Sequence, residues 1–541
     1  MRILALGVDG ADYDLVRELL ALGRLPTIAR VAGAGAFGPL RSTIPAVTPT
    51  AWSSFLTGLN PGAHGIFNFS TNPNRGRQRL ESAASRAGTP LWRPLAAAGI
   101  RSAFVGIPFT YPAEEFPGLV VTGYGGPERP QILPDEARRR IFDAFPDLVT
   151  AHHPAKERWW EDFERYSARL VEHVGEIAGV CRLALELDPE LRLLCVDFMS
   201  ADHAGHLGYA RLDPDHPAHD PTAAGDELVR VYEAVDRACG ELIDDVERRF
   251  GEEPTVLILS DHGMKPVYWY FHANRWLEEH GYLRYRHRSL QPLRRGRLSR
   301  LAAVDQRLVR TTRPYGRALD LVPFLPAPGP DRAFADIDFG STRAYAFATG
   351  GQIFLGEVSG ARDDPHLADE LEQALASVAH PETGRPAFAV LRKEELYHGP
   401  YLAKAPELIV LPRDERINVD ASRRPWRHAF ERLERLDPAS FHGYSGHHGV
   451  TGIFAASGPG IRASEVPDGT GITQLPATII RLFGLATEGL DGSPIEAVLA
   501  PVGPAVAVAV SEQAQPPSDQ PVYSEDEERR MVERLRDLGY E

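Results

Sequence analysis

The sequence predicts an α/β fold: a mostly parallel central sheet with helices on both faces, an inserted cap region and a C-terminal helical tail. Three observations carry this. Short apolar runs bounded by turn residues recur at 3–8, 102–107, 193–197, 255–260 and 452–456, as expected of strands buried on both faces. The longer segments between them have apolar residues at three- and four-residue spacing, the pattern of helices packed on a sheet. Polar clusters rich in Asp and His then stand at or beside the ends of these runs, and the carboxyl edge of an open α/β sheet is where ligands bind.

Taken in order, residues 3–8 form the first strand and lead directly into Asp9-Gly10. The strand at 193–197 precedes Asp202-His203-Ala204-Gly205-His206. The clearest helix spans 225–249, where Leu228, Val231, Tyr232, Val235, Cys239, Leu242, Ile243 and Val246 make one apolar stripe. The strand at 255–260 runs into Asp261-His262-Gly263. Between Gly263 and about Ser440 the pattern changes. A basic stretch at 284–317 and a Pro-rich stretch at 321–330 precede strand-like pieces at 344–355 and 408–412, so a cap inserted in a crossover is expected. The strand at 452–456 follows Gly446-His447-His448. A low-complexity tether, 501–522, then leads to a short helix opened by a capping box at Ser524 and Glu527 and given one apolar face by Met531, Leu535 and Leu538. The expected division is a discontinuous core at 1–270 and 441–500, an insertion at 271–440, and a tether plus helix at 501–541.

A chain of 541 residues with 43% hydrophobic and 25% charged residues can bury a sizeable core. Its formal charge of -15 opposes stable association with nucleic acid or an anionic membrane coat. Three scattered cysteines, with no Cys-x-x-Cys pair, fit a reducing compartment. The first strand begins almost at Met1, leaving no room for a signal peptide, and no apolar run approaches the roughly 20 residues of a membrane span. A cytoplasmic protein is expected, one that could self-associate through the C-terminal helix.

Asp202 and His206 are four apart, so a helical turn presents both to one cation. Asp261 and His262, adjacent past a strand end, suggest ligands to two different cations. One histidine of Gly446-His447-His448 would complete the Asp202/His206 set, giving two imidazoles and a carboxylate with an open position. Thr48-Pro49-Thr50 reads as a loop entering a helix. A hydroxyl there either caps the helix or acts as a nucleophile at the positive end of its dipole, and the residue pattern leaves both open.

In this order Asp9, the segment from Thr48 to Thr57-Gly58, Asp202-x-x-x-His206, Asp261-His262-Gly263 and Gly446-x-His448 resemble the alkaline phosphatase superfamily, nearest its type I phosphodiesterase/nucleotide pyrophosphatase branch. The resemblance covers about the first 270 residues and 441–499. It implies that Asp202, His206 and His448 hold one divalent cation and Asp9, Asp261 and His262 the other, together with the hydroxyl of Thr48. Zinc is the implied metal, and the oxygen ligands also suit manganese. Counting back from Thr57-Gly58 selects Thr48 over Thr50 as nucleophile, and spacing to the following strand selects His448 over His447. Where the branch has an Asn three residues after the nucleophile, this chain has Ala51, and Pro49 lacks a backbone N–H. Thr50 and Lys265 are therefore expected to stabilise the oxyanion. No Cys-x-Pro-x-Arg or Ser-x-Pro-x-Arg element is present, which disfavours the sulfatase branch.

The function expected is a two-metal phosphohydrolase acting on a small phosphorylated substrate, diester or monoester, through a phosphothreonine at Thr48. The alternatives are a phosphomutase of the same superfamily and a non-catalytic metal-containing binding protein.

Overall fold

The computed structural model of the protein describes residues 1–72, 79–151, 162–223, 225–286, 337–421, 428–436, 444–501, 503–508, 518 and 522–537. Most of the basic and Pro-rich stretches, most of the tether, Leu538 and Gly539 lie outside these.

The first seven strands, all in the main sheet, are β1 (Ile3–Gly7), β2 (Ala36–Arg41), β3 (Arg101–Val105), β4 (Gly118–Val121), β5 (Ile132–Leu133), β6 (Leu191–Asp197) and β7 (Thr255–Leu259). Four short strands follow β7 before the cap's middle: β8 (Gly263–Pro266), β9 (Trp269–His272), β10 (Ala344–Ala346) and β11 (Gln352–Leu355). The remainder are β12 (Phe388–Arg392), β13 (Leu408–Pro412), β14 (Ile417–Asp420), β15 (Phe430–Arg432), β16 (Gly446–Gly449), β17 (Thr451–Ser457) and β18 (Ser464–Glu465). The main sheet has the order β18-β2-β17-β7-β1-β6-β3-β4-β5. Its middle, β7 to β4, is parallel throughout, whereas β17 runs antiparallel to both β7 and β2.

Alternation along these strands feeds two cores. Leu4 and Leu6 of β1 and Val256 and Ile258 of β7 join one face. There they meet α1 (Tyr13–Ala21), α2 (Pro26–Ala34), the long Phe163–Leu187 helix and the Glu227–Phe250 helix. Ile3, Ala5, Leu257 and Leu259 join the other face, with Trp52 and Phe55 of α3 (Thr48–Thr57) and Leu475 and Ile479 of the Gln474–Leu482 helix. Burial on both faces is why β1 and β7 read as almost unbroken apolar runs. The predicted stripe at 225–249 is the inward face of Glu227–Phe250, with Cys239 in the core.

Between β8 and β16 the chain builds an antiparallel sheet, β10-β11-β13-β12, and a three-stranded sheet, β14-β9-β15, around a separate hydrophobic cluster running from Phe271 to Ala421. At the end of β9 the buried His272 places Nδ1 2.9 Å from Asp420 Oδ2 and Nε2 3.5 Å from Glu431 Oε2. Burial alone would lower its pKa, but the two carboxylates prevail and raise it. A group protonated more readily when folded stabilises fully below its unfolded pKa, near 6.5 for histidine, and loses that contribution as pH rises through the folded value. Thermal unfolding over a pH series should therefore show wild type ahead of His272→Gln at pH 6, with the gap closing at alkaline pH. Parallel profiles would refute the charge pairing.

The C-terminal helix, Glu525–Asp537, has the expected capping box: Ser524 N–H donates to Glu527 Oε2 at 2.8 Å, and Glu527 N–H to Ser524 Oγ at 3.3 Å. Its Met531 and Leu535 are buried against Ile66, Phe69, Phe109, Tyr124 and Met199 of the same chain, and the Tyr523 hydroxyl donates to the Gly125 carbonyl at 2.5 Å. These two apolar side chains are therefore already used within the chain. No described helix is long and apolar enough to cross a membrane.

Candidate metal centre

The parallel register aligns the carboxyl ends of the middle strands, with Gly7 opposite Asp197 on one side and Leu259 on the other. Each strand therefore delivers its following loop to the same edge. Asp9 lies just beyond β1, Asp261 and His262 just beyond β7, and Asp202 and His206 on the Ser200–Leu212 helix that follows β6. Gly10 is required here: its φ is +70°, and a β carbon would stand 3.0 Å from the Asp202 Cα. The fourth segment, β16, pairs antiparallel with β8 and sets His448 opposite Met264. Neighbours on a strand point to opposite sides. Hence His448 faces Asp202 and His206, while His447 Nε2 donates to the Glu415 carbonyl at 2.6 Å.

The gathered side chains form two sets of three, Asp202/His206/His448 and Asp9/Asp261/His262, and within each set the ligand atoms lie within 4.8 Å of one another. In the first, His206 Nε2 and His448 Nε2 are 3.1 Å apart and stand 3.5 and 3.3 Å from Asp202 Oδ1. A tetrahedral zinc with ligands at about 2.0–2.1 Å has ligand–ligand edges of about 3.3–3.4 Å. In the second, His262 Nε2 is 3.6 Å from Asp9 Oδ1 and 3.3 Å from Asp261 Oδ2. The rings of His262 and His448 stack at 3.7 Å between centroids, so the two sets adjoin.

Hydrogen bonding fixes the tautomers. Each Nδ1 faces a backbone carbonyl: His206 that of Gly446 at 3.1 Å, His448 that of Ala46 at 2.9 Å, His262 that of Gly263 at 3.1 Å. A carbonyl only accepts, so Nδ1 carries the proton and each Nε2 presents a lone pair to the centre. Two such lone pairs 3.1 Å apart repel unless a cation lies between them. The carboxylate oxygens aimed at these nitrogens, Asp9 Oδ1, Asp202 Oδ1 and Asp261 Oδ2, are buried with no hydrogen-bond partner among the described residues.

Electrostatics agree. Burial, then the neighbouring Asp197 and Asp202, push the Asp9 carboxyl well up; burial, then Asp9 and Asp202, do the same to Asp261. Burial also keeps His206 and His262 neutral by lowering their pKa. No Lys or Arg ion pair reaches the three ligand carboxylates among the described residues. Buried carboxyl oxygens facing imidazole Nε2 lone pairs form the donor set that divalent cations complete, so the residues present fit two of them.

Thr48 is the first residue of α3, and the cap position belongs to Val47, which makes no side-chain capping bond. The Thr48 hydroxyl is not a cap; its Oγ1 lies 3.3 Å from His262 Nε2. Thr50 is buried two residues along the helix, about 200° around its axis from Thr48. The Lys265 ammonium is held 3.0 Å from Asp12, 2.8 Å from Asp14 and 3.5 Å from Glu415. Lys265 thus ties Asp12 and Asp14, beyond β1, to Glu415.

Two residues at the centre were not read from the sequence. The Trp52 indole donates to Asp9 Oδ2 at 2.9 Å. Asp197, buried at the end of β6, stands close enough to Asp9 to raise its pKa. The signal for Asp197 was present, since it ends its apolar strand much as Asp9 follows β1.

No curated protein sequence matches the chain. Among solved structures it is similar to murine ectonucleotide pyrophosphatase/phosphodiesterase 5, an inactive form in complex with AMP, at 16% identity over 92% of this chain and 100% of that one, with a TM-score of 0.49. It is similar to the human counterpart at 15% identity over 91% of this chain and 97% of that one, also with a TM-score of 0.49. The family description type I phosphodiesterase/nucleotide pyrophosphatase matches residues 3–445, and the chain belongs to that family, within the alkaline phosphatase superfamily.

Proposed function

We propose that this chain is a two-metal phosphoric ester hydrolase that acts through a phosphothreonine at Thr48. The observation carrying this reading is the Thr48 hydroxyl, free of capping and 3.3 Å from His262 Nε2, where the two donor sets meet. Asp202, His206 and His448 would hold one cation, and Asp9, Asp261, His262 and Thr48 the other. When bound, such a pair stabilises the apical oxygens of an in-line displacement and lowers the pKa of water.

The chain's own part is positional. Thr48 stands at the positive end of α3, which favours its alkoxide. Oγ1 forms the bond to phosphorus as the bond to the leaving oxygen breaks, and the hydroxyl proton ends on the departing alcohol. Water then cleaves the Thr48 ester and restores the hydroxyl. The N–H groups of Thr50 and Ala51 are bonded to the Val47 carbonyl, each at 3.0 Å, so the first turn lends its dipole rather than direct donors. Three ligand carboxylates against two divalent cations leave about one positive charge, which matches a diester monoanion better than a monoester dianion.

Hydrolysis of p-nitrophenyl phosphate, bis-p-nitrophenyl phosphate and a p-nitrophenyl nucleotide ester tests this, after chelation and refilling with zinc or manganese. Turnover should appear only on refilling and be faster for the diesters. No turnover of any ester by a protein holding two cations would shift the reading to a mutase or a binding protein.

A further inference from the structure

The indole of Trp52 sits where the two-metal reading gives it a task beyond core packing. It is fully buried, packs against Phe55 at 5.3 Å between ring centroids, and passes over β1 at Gly7, where a β carbon would meet its ring at 2.8 Å. Its N–H reaches Asp9 Oδ2 at 2.9 Å. The other oxygen, Asp9 Oδ1, has no hydrogen bond and points toward His262 Nε2 at 3.6 Å. Trp52 is also four residues after Thr48, on the same face of α3 one turn on. The helix that presents the nucleophile therefore grips the Asp9 set twice: Thr48 at His262 and Trp52 at Asp9.

We infer that Trp52 is a positioning residue for the cation held by Asp9, Asp261 and His262: its N–H occupies one Asp9 oxygen, turns the other inward and fixes α3 to that ligand set. This rests on the proposed two-cation reading. A donor bound to a ligating carboxylate supports metal affinity, and its removal typically costs about 10- to 100-fold. The Trp52 N–H is given to Asp9, a member of the other set, so affinity at Asp202/His206/His448 should be indifferent to its loss.

The test is a calorimetric zinc titration of chelated wild type, Trp52→Phe, and a protein carrying 3-benzothienylalanine at position 52, which keeps the shape of indole without the N–H. Metal-free thermal unfolding of each is measured beside it. Wild type should take up two equivalents. In both variants one step should keep its affinity while the other weakens about 10- to 100-fold, even where the benzothienyl protein unfolds at the wild-type temperature. Two unchanged steps would make Trp52 mere core packing and overturn the inference; equal weakening of both would overturn it by showing a global effect. Wild type that binds no zinc would remove the two-cation reading itself, an outcome distinct from both.

Discussion

Thr48→Ala should lower turnover of every ester by about 10⁴-fold or more, the scale at which an enzyme loses its nucleophile, while the fold persists. Nothing else at the first turn of α3 substitutes: Pro49 carries no reactive group, and Thr50 lies around the helix from the centre. Because the Thr48 hydroxyl is not a cap, its removal should cost little stability, so the unfolding temperature should stay near that of wild type. Thr48→Ser should retain measurable activity, since it keeps a hydroxyl at the same place. Steady-state rates and thermal unfolding check both, and an alanine variant with more than a tenth of wild-type activity would dismiss Thr48 as nucleophile.

Asp261→Asn should separate function from stability. The substitution removes one charged ligand of the second set, so metal content should fall by one equivalent per chain and turnover should fall to near background. In chelator, however, the variant should be more stable than wild type. Asp261 is fully buried beside Asp9 and Asp202, with Oδ2 unpaired, and its pKa is raised by burial and then by those carboxylates. A carboxyl whose folded pKa exceeds its unfolded value costs stability as pH rises through that interval. The gain from the neutral isostere should therefore grow from acid to neutral pH, reaching roughly 1–3 kcal/mol, the usual cost of an unsatisfied buried polar group. Zinc should reverse the order, stabilising wild type more than the variant. Thermal unfolding with and without zinc decides it; a variant less stable than wild type in chelator would show that the cluster is balanced without metal.

Much of this was legible because the same physics wrote both patterns. Strands buried on two faces must be nearly continuous in apolar residues, so β1 and β7 stood out, and their ends marked Asp9 and Asp261. Direction was less visible: β17 is buried like β7 yet runs antiparallel to it, since a single buried strand does not encode the polarity of its partner. The apolar face of the C-terminal helix was evident, but its partners, Phe69, Phe109 and Met199, lie hundreds of residues earlier. The pairing of Lys265 with Asp12 and Asp14 was not legible, because those partners lie about 250 residues earlier. Trp52 had the composition of core and is core; only the sheet's geometry brings its N–H to Asp9.

The central claim is a covalent step on Thr48, and it is most directly tested by acid quench of the zinc-loaded protein during turnover of a p-nitrophenyl phosphodiester, followed by peptide mass spectrometry. The peptide bearing Thr48 should gain the mass of the transferred phosphoryl ester, and the same peptide from Thr48→Ala should not. Turnover with that peptide unmodified, or with the group on another residue, would contradict the account.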